Sequence, residues 1–298
     1  MSFYEEISRN KRTTYLLFLV FFVLIFVLGY VFSFLMDSYI FVPIFGIFAI
    51  VYTLFTYYNS DKIITAISGA KQVTKEQQPK LHNIVEEMTI ASGLPKPRIY
   101  VIQDTAINAF ATGRDPEHSV VCVTTGAIDK LSRAELTGVV AHEMSHIKNY
   151  DIRVMTIAAV LVGLSVLLSD FLLRMFLWGS LGGNRDSRGG GQITIVAIVV
   201  GLLLAILTPF IAQAIRLAIS RKREYLADAS AAQMTRYPEG LAGALTKIKN
   251  DPEILEAANK ATAHLYIANP LKNRKMWLKN MFSTHPPIDD RIAKLNAM

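Results

Sequence analysis

Cysteine and charge are both scarce in this sequence. One cysteine, Cys122, stands among 298 residues, which excludes a disulfide within the chain. It lies in the apolar run SVVCV and is predicted to be a buried structural thiol on a strand. Charged residues make up only 18% of the chain and hydrophobic residues 52%, with a mean hydropathy of +0.32. This balance excludes an ordinary soluble domain.

The basic character of the chain has no matching nucleic-acid signature. The formal net charge is +7, yet the sequence has no recognition module and no basic stretch interleaved with aromatic residues. The glycine-rich segment GSLGGNRDSRGGG also lacks the residue order of a phosphate-binding loop. The expected partner of the positive charge is therefore the anionic surface of a lipid bilayer, and no nucleic-acid partner is predicted.

Long uncharged runs are the most conspicuous feature of the first sixty residues. They cover residues 13–36 and 38–60, and each exceeds the roughly 20 residues that a helix needs to cross a bilayer core. Only Asp37 separates them, which leaves room for a tight turn. Residues 1–60 are therefore predicted to form a transmembrane hairpin that is retained as an anchor rather than cleaved as a signal peptide.

Further apolar runs interrupt the second half of the chain. Residues 154–169, continuing to Trp178, form a third predicted span, and residues 192–215 form a fourth. Residues 154–215 would thus be a second transmembrane hairpin. Lysine and arginine flank the first span at its N-terminal end and follow the second and fourth spans. Because cytoplasmic segments are enriched in these residues, both termini and the large polar segments are predicted to face the cytoplasm, in a multi-pass protein of the cytoplasmic membrane.

The five residues HEMSH, from His142 to His146, form the most specific motif of the chain. The pattern around them predicts a helix over residues 132–149, with a capping box at Ser132. Residues four apart lie on one face of a helix, so the imidazoles of His142 and His146 can bind one metal ion. Glu143 adds a carboxylate base beside that metal. The motif predicts zinc-assisted hydrolysis with Glu143 as a catalytic residue.

A third metal ligand is predicted in the helical pattern RKREYLAD. Glu224 would complete a set of two histidines and one glutamate, which leaves the fourth position open, as in catalytic zinc sites. Asp228, one turn further on, is suited to accept the free ring N–H of a ligand histidine. The alternative is that both are ordinary solvated charges beside basic neighbours, and the presence of HEMSH favours the metal.

Residues 61–153 and 216–298 each contribute part of this site, so they are predicted to fold together as the two parts of one catalytic domain. Both motifs stand a few residues from an apolar run, which places the metal close to the cytoplasmic face of the membrane. Short apolar runs at residues 98–103 and 119–124 predict strands of a small sheet. A strand beside the metal helix either pairs with an extended substrate or is an ordinary edge strand, and the pattern leaves both open.

The C-terminal segment THPPIDDR supplies two further candidates. His285 is a candidate catalytic residue, because it could donate a hydrogen bond to the oxyanion that forms when a peptide carbonyl is attacked. A surface or capping role is the alternative for this histidine. Arg291 could donate in the same way or brace a carboxylate of the site.

These motifs, in this order, resemble those of the M48 metallopeptidases. The stretches that carry the resemblance are NAFATG, AHEMSHIKNYD, SRKREYLADASA and STHPPIDDRI, and with the spans they cover nearly the whole chain. The resemblance implies one Zn²⁺ per chain, bound by the two histidines of HEMSH and by Glu224, with Asp228 behind them. It also implies contacts with substrate or transition state for Asn108, His285 and Arg291.

The combined prediction is a mostly α, α+β protein with four membrane spans, a cytoplasmic zincin-type (gluzincin) catalytic domain and a small β-sheet. The resemblance implies an endopeptidase that cleaves damaged or misassembled membrane proteins, and the absence of an ATP-binding motif predicts ATP-independent hydrolysis. The alternatives are a processing protease of the CAAX type, which four spans disfavour, and a catalytically silent metal-binding scaffold, which the intact Glu143 disfavours. A metal transporter is disfavoured because the candidate ligands lie outside the spans.

Overall fold

The computed structural model describes residues 3–35, 37–181, 221–257, 262–268 and 286–298. These residues are mostly helical and include one small sheet, as predicted. The predicted fourth span, most of the glycine-rich connector and His285 lie outside them. The helices are labelled α1 to α9 and the strands β1 to β4 in chain order within the described part of the chain.

The two N-terminal spans form the predicted helical hairpin. Helix α1 covers Phe3–Leu35 and α2 covers Phe41–Ile67, and the two pack against each other. Asp37 lies in the turn with a φ of 47°, a left-handed conformation that aspartate adopts more readily than most residues. Helix α2 continues past the predicted boundary at residue 60, and Asp61 forms an ion pair there with Arg98 of the sheet. The helix therefore runs without a break from the hairpin into the rest of the molecule.

By length and composition, two helices of the described chain could cross a membrane, over Ile7–Phe34 and Phe41–Ile67. A third is reached only if Arg133–Lys148 and Asp151–Leu167, which meet at 84°, are counted as one span. The third predicted span falls on α6 (Asp151–Leu181), whose first half packs against α1 and α2 through buried Val154, Ala158 and Leu161. Whether α6 crosses a bilayer stays a prediction.

A four-stranded sheet forms the centre of the remaining domain. Its strands are β1 (Lys71–Gln72), β2 (Arg98–Ile102), β3 (Ala109–Gly113) and β4 (Ser119–Thr124), in the spatial order β1-β2-β4-β3. Strands β2 and β4 are parallel, and the other two pairs are antiparallel. The strands predicted at 98–103 and 119–124 are confirmed, and Cys122 is fully buried on β4. Strand β3 lies at the edge of the sheet and contacts the helix that carries HEMSH.

Helix α5 (Arg133–Lys148) is the central helix of this domain and carries both histidines of HEMSH. Ser132 and Glu135 form the predicted capping box at its start. Around it pack α3 (Pro79–Ser92), α7 (Arg221–Thr235) and α8 (Pro238–Asn250), while α4 (Thr125–Lys130) follows β4 and α9 (Ile288–Asn296) lies on α7 and α8. The approach of α8 is close, since a Cβ on Gly138 would lie 2.6 Å from the backbone nitrogen of Leu241. This packing joins the chain before α6 to the chain after residue 220.

Candidate metal centre

His142 and His146 lie one turn apart on α5, and their rings face each other. The two Nε2 atoms are 3.2 Å apart, and both side chains are buried. The helix is buried continuously from Gly138 to Ile147, so its polar residues in this stretch are enclosed by other elements. Both rings therefore lie close together inside the domain on one face of the helix, as the spacing predicts.

Glu224 of α7 approaches both rings from the other part of the chain. Its Oε1 lies 3.6 Å from Nε2 of His146, and its Oε2 lies 3.8 Å from Nε2 of His142. One ligand atom from each of the three residues lies within 4.8 Å of the others. Two imidazole nitrogens and a carboxylate oxygen are the donor set of catalytic zinc sites. The three side chains therefore fit one metal ion.

Each histidine has its second ring nitrogen bound by a buried carboxylate. Oδ1 of Asp228 lies 3.0 Å from Nδ1 of His142, and Oδ2 of Asp151 lies 3.0 Å from Nδ1 of His146. A carboxylate at Nδ1 selects the tautomer with the proton on that nitrogen, which leaves Nε2 free to bind a metal. The structure places Asp228 as the sequence predicts, and it adds Asp151, which the sequence analysis missed.

Arg291 of α9 lies behind the ligands, with only 1% of its surface exposed. Its guanidinium donates to both oxygens of Asp228, at 2.8 and 2.7 Å, and to the carbonyl oxygen of Ile267 at 2.9 Å. A terminal nitrogen is 3.6 Å from Oε2 of Glu224. Although burial favours the neutral acid, the charge of Arg291 outweighs it and lowers the pKa of Asp228. Of the two roles open for Arg291, this geometry favours bracing a carboxylate.

Glu143 follows His142 on α5 and is almost fully buried. Burial raises the pKa of its carboxyl group to about 7, and the charge of Glu224 acts in the same direction. The backbone N–H of Ala111 on β3 donates to this side chain, while Oε1 has no hydrogen-bond partner among the described residues. A buried carboxyl oxygen without a partner among the described residues, next to the three candidate ligands, is suited to bind a reacting water.

The two histidines differ in their pKa. Burial lowers the pKa of His142 to about 4, although the hydrogen bond to Asp228 opposes this shift. For His146 the effect of burial is outweighed by the hydrogen bond to Asp151 and by the charge of Glu224, which raise its pKa to about 9. In the metal-free protein at neutral pH, His142 is therefore neutral and His146 carries a proton that a metal ion would displace.

Asn108 precedes the edge strand β3 and is buried. Its Nδ2 donates to the carbonyl oxygen of Ala268 at 3.2 Å, and the N–H of Ile267 donates to the carbonyl oxygen of Ala109 at 2.9 Å. Part of the outer edge of β3 is thus bound by the chain itself. The proposed contact of Asn108 with substrate stays a prediction, and so does the role of His285.

Two residues of this region carried no strong sequence signal. Asp151 follows His146 by five positions, which places it beyond the end of α5 rather than on its ligand face. Asn10 stands just before the first uncharged run and reaches Asp151 with its amide at 2.7 Å. The sequence signal available for Asp151 was its position as a charged residue at the start of an apolar helix. Asn10 could be found only from the tertiary packing of α1 on α6.

Comparison with known proteins places the chain in a family. The sequence pattern described as peptidase family M48 matches residues 75–298. A Protease HtpX homolog from Dictyoglomus thermophilum is 48% identical over 302 residues, which cover 100% of this chain and 95% of the relative. A Protease HtpX homolog from Listeria monocytogenes serotype 4a is 42% identical, with 99% of each chain covered.

A solved structure shares the fold. The crystal structure of Ste24p from S. mikatae matches with a TM-score of 0.51 and 20% sequence identity, over 90% of this chain and 62% of that chain. The region matched to the family contains α5 and α7 and therefore both parts of the candidate metal centre. The similarity to the HtpX relatives also includes the two apolar N-terminal helices. The chain therefore belongs to peptidase family M48 and is a membrane metalloprotease similar to HtpX.

Proposed function

We propose that this protein is a zinc-dependent endopeptidase that cleaves damaged or misassembled membrane proteins at the cytoplasmic face of the cell membrane, without ATP. The observation that carries the proposal is the convergence of His142, His146 and Glu224 from two distant parts of the chain, with Glu143 beside them. A zinc site with three protein ligands and an adjacent base is built for hydrolysis rather than for structural support. The family membership supports the same reaction class.

The proposed mechanism assigns a proton-transfer role to Glu143. When bound, zinc supplies a Lewis acid that polarises the scissile carbonyl and makes water a stronger acid. Glu143 binds the attacking water through its carboxylate, accepts its proton and then passes that proton to the leaving amine. A pKa of about 7 suits both steps, because the group accepts and releases a proton near neutral pH.

The carboxylates behind the histidines keep the ligand geometry. Asp228 and Asp151 each bind the Nδ1 side of one ring, so both Nε2 atoms stay directed at Glu224. Arg291 neutralises Asp228 inside the protein and connects it to the 262–268 segment. His285 is proposed to donate to the oxyanion of the substrate.

The edge strand β3 is the proposed binding site for the extended substrate backbone. Ala111 lies on this strand, and its N–H reaches the Glu143 side chain. The bond from the N–H of Ile267 to the carbonyl oxygen of Ala109 supports this proposal, because a backbone group outside the sheet hydrogen-bonds to the outer side of β3 there. We infer that a substrate strand lies along β3 beside the metal, with its scissile carbonyl near Glu143.

The apolar helices support membrane proteins as the substrate class. Helices α1 and α2 expose large apolar side chains over most of their length, including Leu19, Phe26 and Val51. Such a surface fits lipid rather than water. Helix α6 begins directly after the metal helix, so the site lies beside the membrane-spanning part. The residues at 192–215 are proposed to complete a second hairpin, with both termini in the cytoplasm.

The test uses the full chain, purified in detergent and reconstituted in lipid nanodiscs, with a membrane protein that carries an unfolded cytoplasmic segment as substrate. We expect cleavage without ATP, its loss after removal of the metal with a chelator, and its return with Zn²⁺. Cleavage that persists in the chelated protein, cleavage that requires ATP, or no cleavage by the zinc-loaded chain would each overturn the proposal.

A further inference from the structure

Asn10 of α1 is a fully buried polar residue within a helix that is long and apolar enough to cross a membrane. Its Nδ2 donates to the carbonyl oxygen of Asn149 at 2.9 Å and to Oδ1 of Asp151 at 2.7 Å. Its Oδ1 accepts a hydrogen bond from Arg223 of α7 at 2.9 Å. The one amide therefore connects α1, the corner before α6, and the helix that carries Glu224.

Asp151 connects this amide to the metal centre. While Oδ1 of Asp151 binds Asn10, its Oδ2 lies 3.0 Å from Nδ1 of His146. A continuous path of hydrogen bonds thus runs from the first membrane helix, through one carboxylate, to a metal-ligating ring. The neighbouring Arg223, whose Nε is 3.6 Å from Oδ1 of Asp151, approaches the same oxygen.

Residues of α1 contact the sharp turn between α5 and α6. The two helices meet at 84°, and Tyr150 between them has a φ of 59°, which is uncommon for a large residue. Lys11 lies 4.6 Å above the Tyr150 ring, and the preceding Asn10 binds both residues that flank it. Residues 10 and 11 of α1 thus hold the turn in which Asp151 stands.

We propose that Asn10 is a positioning residue of the metal centre, which orients Asp151 so that His146 presents Nε2 to the metal. The first membrane helix is then a structural part of the metal site as well as an anchor. This inference rests on the proposed zinc function. The physical reason is that a buried carboxylate keeps its orientation only while its donors are in place, and hydrogen bonds to a charged acceptor are the stronger ones.

The first experiment compares Asn10→Leu with Thr14→Val in the full chain in detergent micelles. Both changes keep the branching and the number of side-chain heavy atoms and remove a buried polar group from α1, but among the described residues Thr14 bonds only to the Asn10 carbonyl of its own helix. We expect Asn10→Leu to release Zn²⁺ to a chromophoric chelator about tenfold faster than wild type. This is the lower end of the range for mutations of residues that support a metal-bound histidine. Thr14→Val should release the metal at the wild-type rate. Equal release rates in wild type and Asn10→Leu would overturn the inference.

A second variant covers the case in which Asn10→Leu does not fold. Asn10→Ala adds no volume to the buried site and cannot donate to Asp151. We expect faster Zn²⁺ release and an altered visible spectrum of the Co²⁺-substituted protein, because the His146 ring loses its fixed orientation. A wild-type release rate and Co²⁺ spectrum in Asn10→Ala would refute the positioning role.

A double-mutant cycle separates positioning from general stability. If Asn10 acts through Asp151, then Asn10→Leu should not accelerate metal release further in an Asp151→Ala background. If Asn10→Leu accelerates zinc release as much in the Asp151→Ala background as in wild type, Asn10 acts by another route.

A control separates this inference from the proposed function. The zinc content of the wild type is measured first and is compared with that of Glu224→Ala. A wild type without zinc at these ligands contradicts the proposed function, whereas a zinc-loaded wild type with an unaffected Asn10→Leu contradicts only this inference.

Discussion

Arg291 binds both oxygens of Asp228, at 2.8 Å through Nε and at 2.7 Å through a terminal nitrogen. The two residues belong to α9 and α7, and Asp228 binds His142 of α5 at the same time. Three helices are thus joined by one buried network of hydrogen bonds and charges directly behind the candidate metal ligands. A planar guanidinium suits this contact because two of its N–H groups can donate in parallel to the two oxygens of one carboxylate.

Arg291→Leu is expected to destabilise the fold by about 3–5 kcal/mol, because it leaves the buried Asp228 charge without its partner. The pKa of Asp228 is lowered in the folded protein. The pair therefore contributes stability above the unfolded aspartate pKa, about 3.9, and this contribution is lost as the pH falls through the lowered folded value. Thermal or denaturant unfolding in detergent measures the loss. Arg133→Leu is the matched control, since its ion pair with Glu87 is exposed and should contribute about 0–1 kcal/mol. Similar losses in the two variants would contradict the prediction.

Glu143→Gln should keep the metal and lose the reaction. The amide retains the size of the side chain but cannot accept the proton of water, so cleavage should fall by about 10³-fold, within the usual range for a general base. Metal content by elemental analysis and substrate cleavage by gel assay measure both quantities. Glu117→Gln, an exposed site on the same domain, should behave as wild type. Undiminished cleavage by Glu143→Gln would remove this residue from the mechanism.

Glu224→Ala should release the metal rather than slow the chemistry alone. Its carboxylate is the one ligand contributed by α7, so zinc affinity should fall by more than the roughly 10–100-fold expected for a supporting residue. Competition with a chelator of known affinity measures the change. Full zinc affinity in this variant would exclude Glu224 as a ligand.

Zinc binding should depend on pH through His146. Its pKa of about 9 means that the metal-free ring is protonated at pH 7, whereas a metal-bound ring must be neutral. Binding should therefore release about one proton from this ring, and zinc affinity should rise about tenfold per pH unit from pH 7 towards 9 before it levels off. Calorimetry in buffers of different ionisation enthalpy measures the released protons. Asp151→Asn, which removes the carboxylate that raises this pKa, should flatten the dependence, and a pH-independent affinity in wild type would contradict the prediction.

Features set by local pattern were predictable from the sequence. The uncharged runs predicted α1 and α2 because their length alone matches a bilayer, and Ser132 with Glu135 predicted the start of α5. The ring arrangement of His142 and His146 also follows locally, since a spacing of four residues places both on one helix face. Apolar β-branched residues predicted β2 and β4 for the same reason.

The sequence by itself determined which candidate chemistry the site has, because residue types and short spacings predict a ligand pair, a base and a helix. Only the tertiary structure decided how distant groups meet. It brought Glu224 to the histidines, placed Arg291 against the Asp228 carboxylate, which was one of its two predicted roles, and joined Asn10 to Asp151. These contacts depend on the packing of α1, α7 and α9 around α5 and α6. The periodicity of one segment predicts which of its faces is buried, but it does not predict which other segment packs against that face.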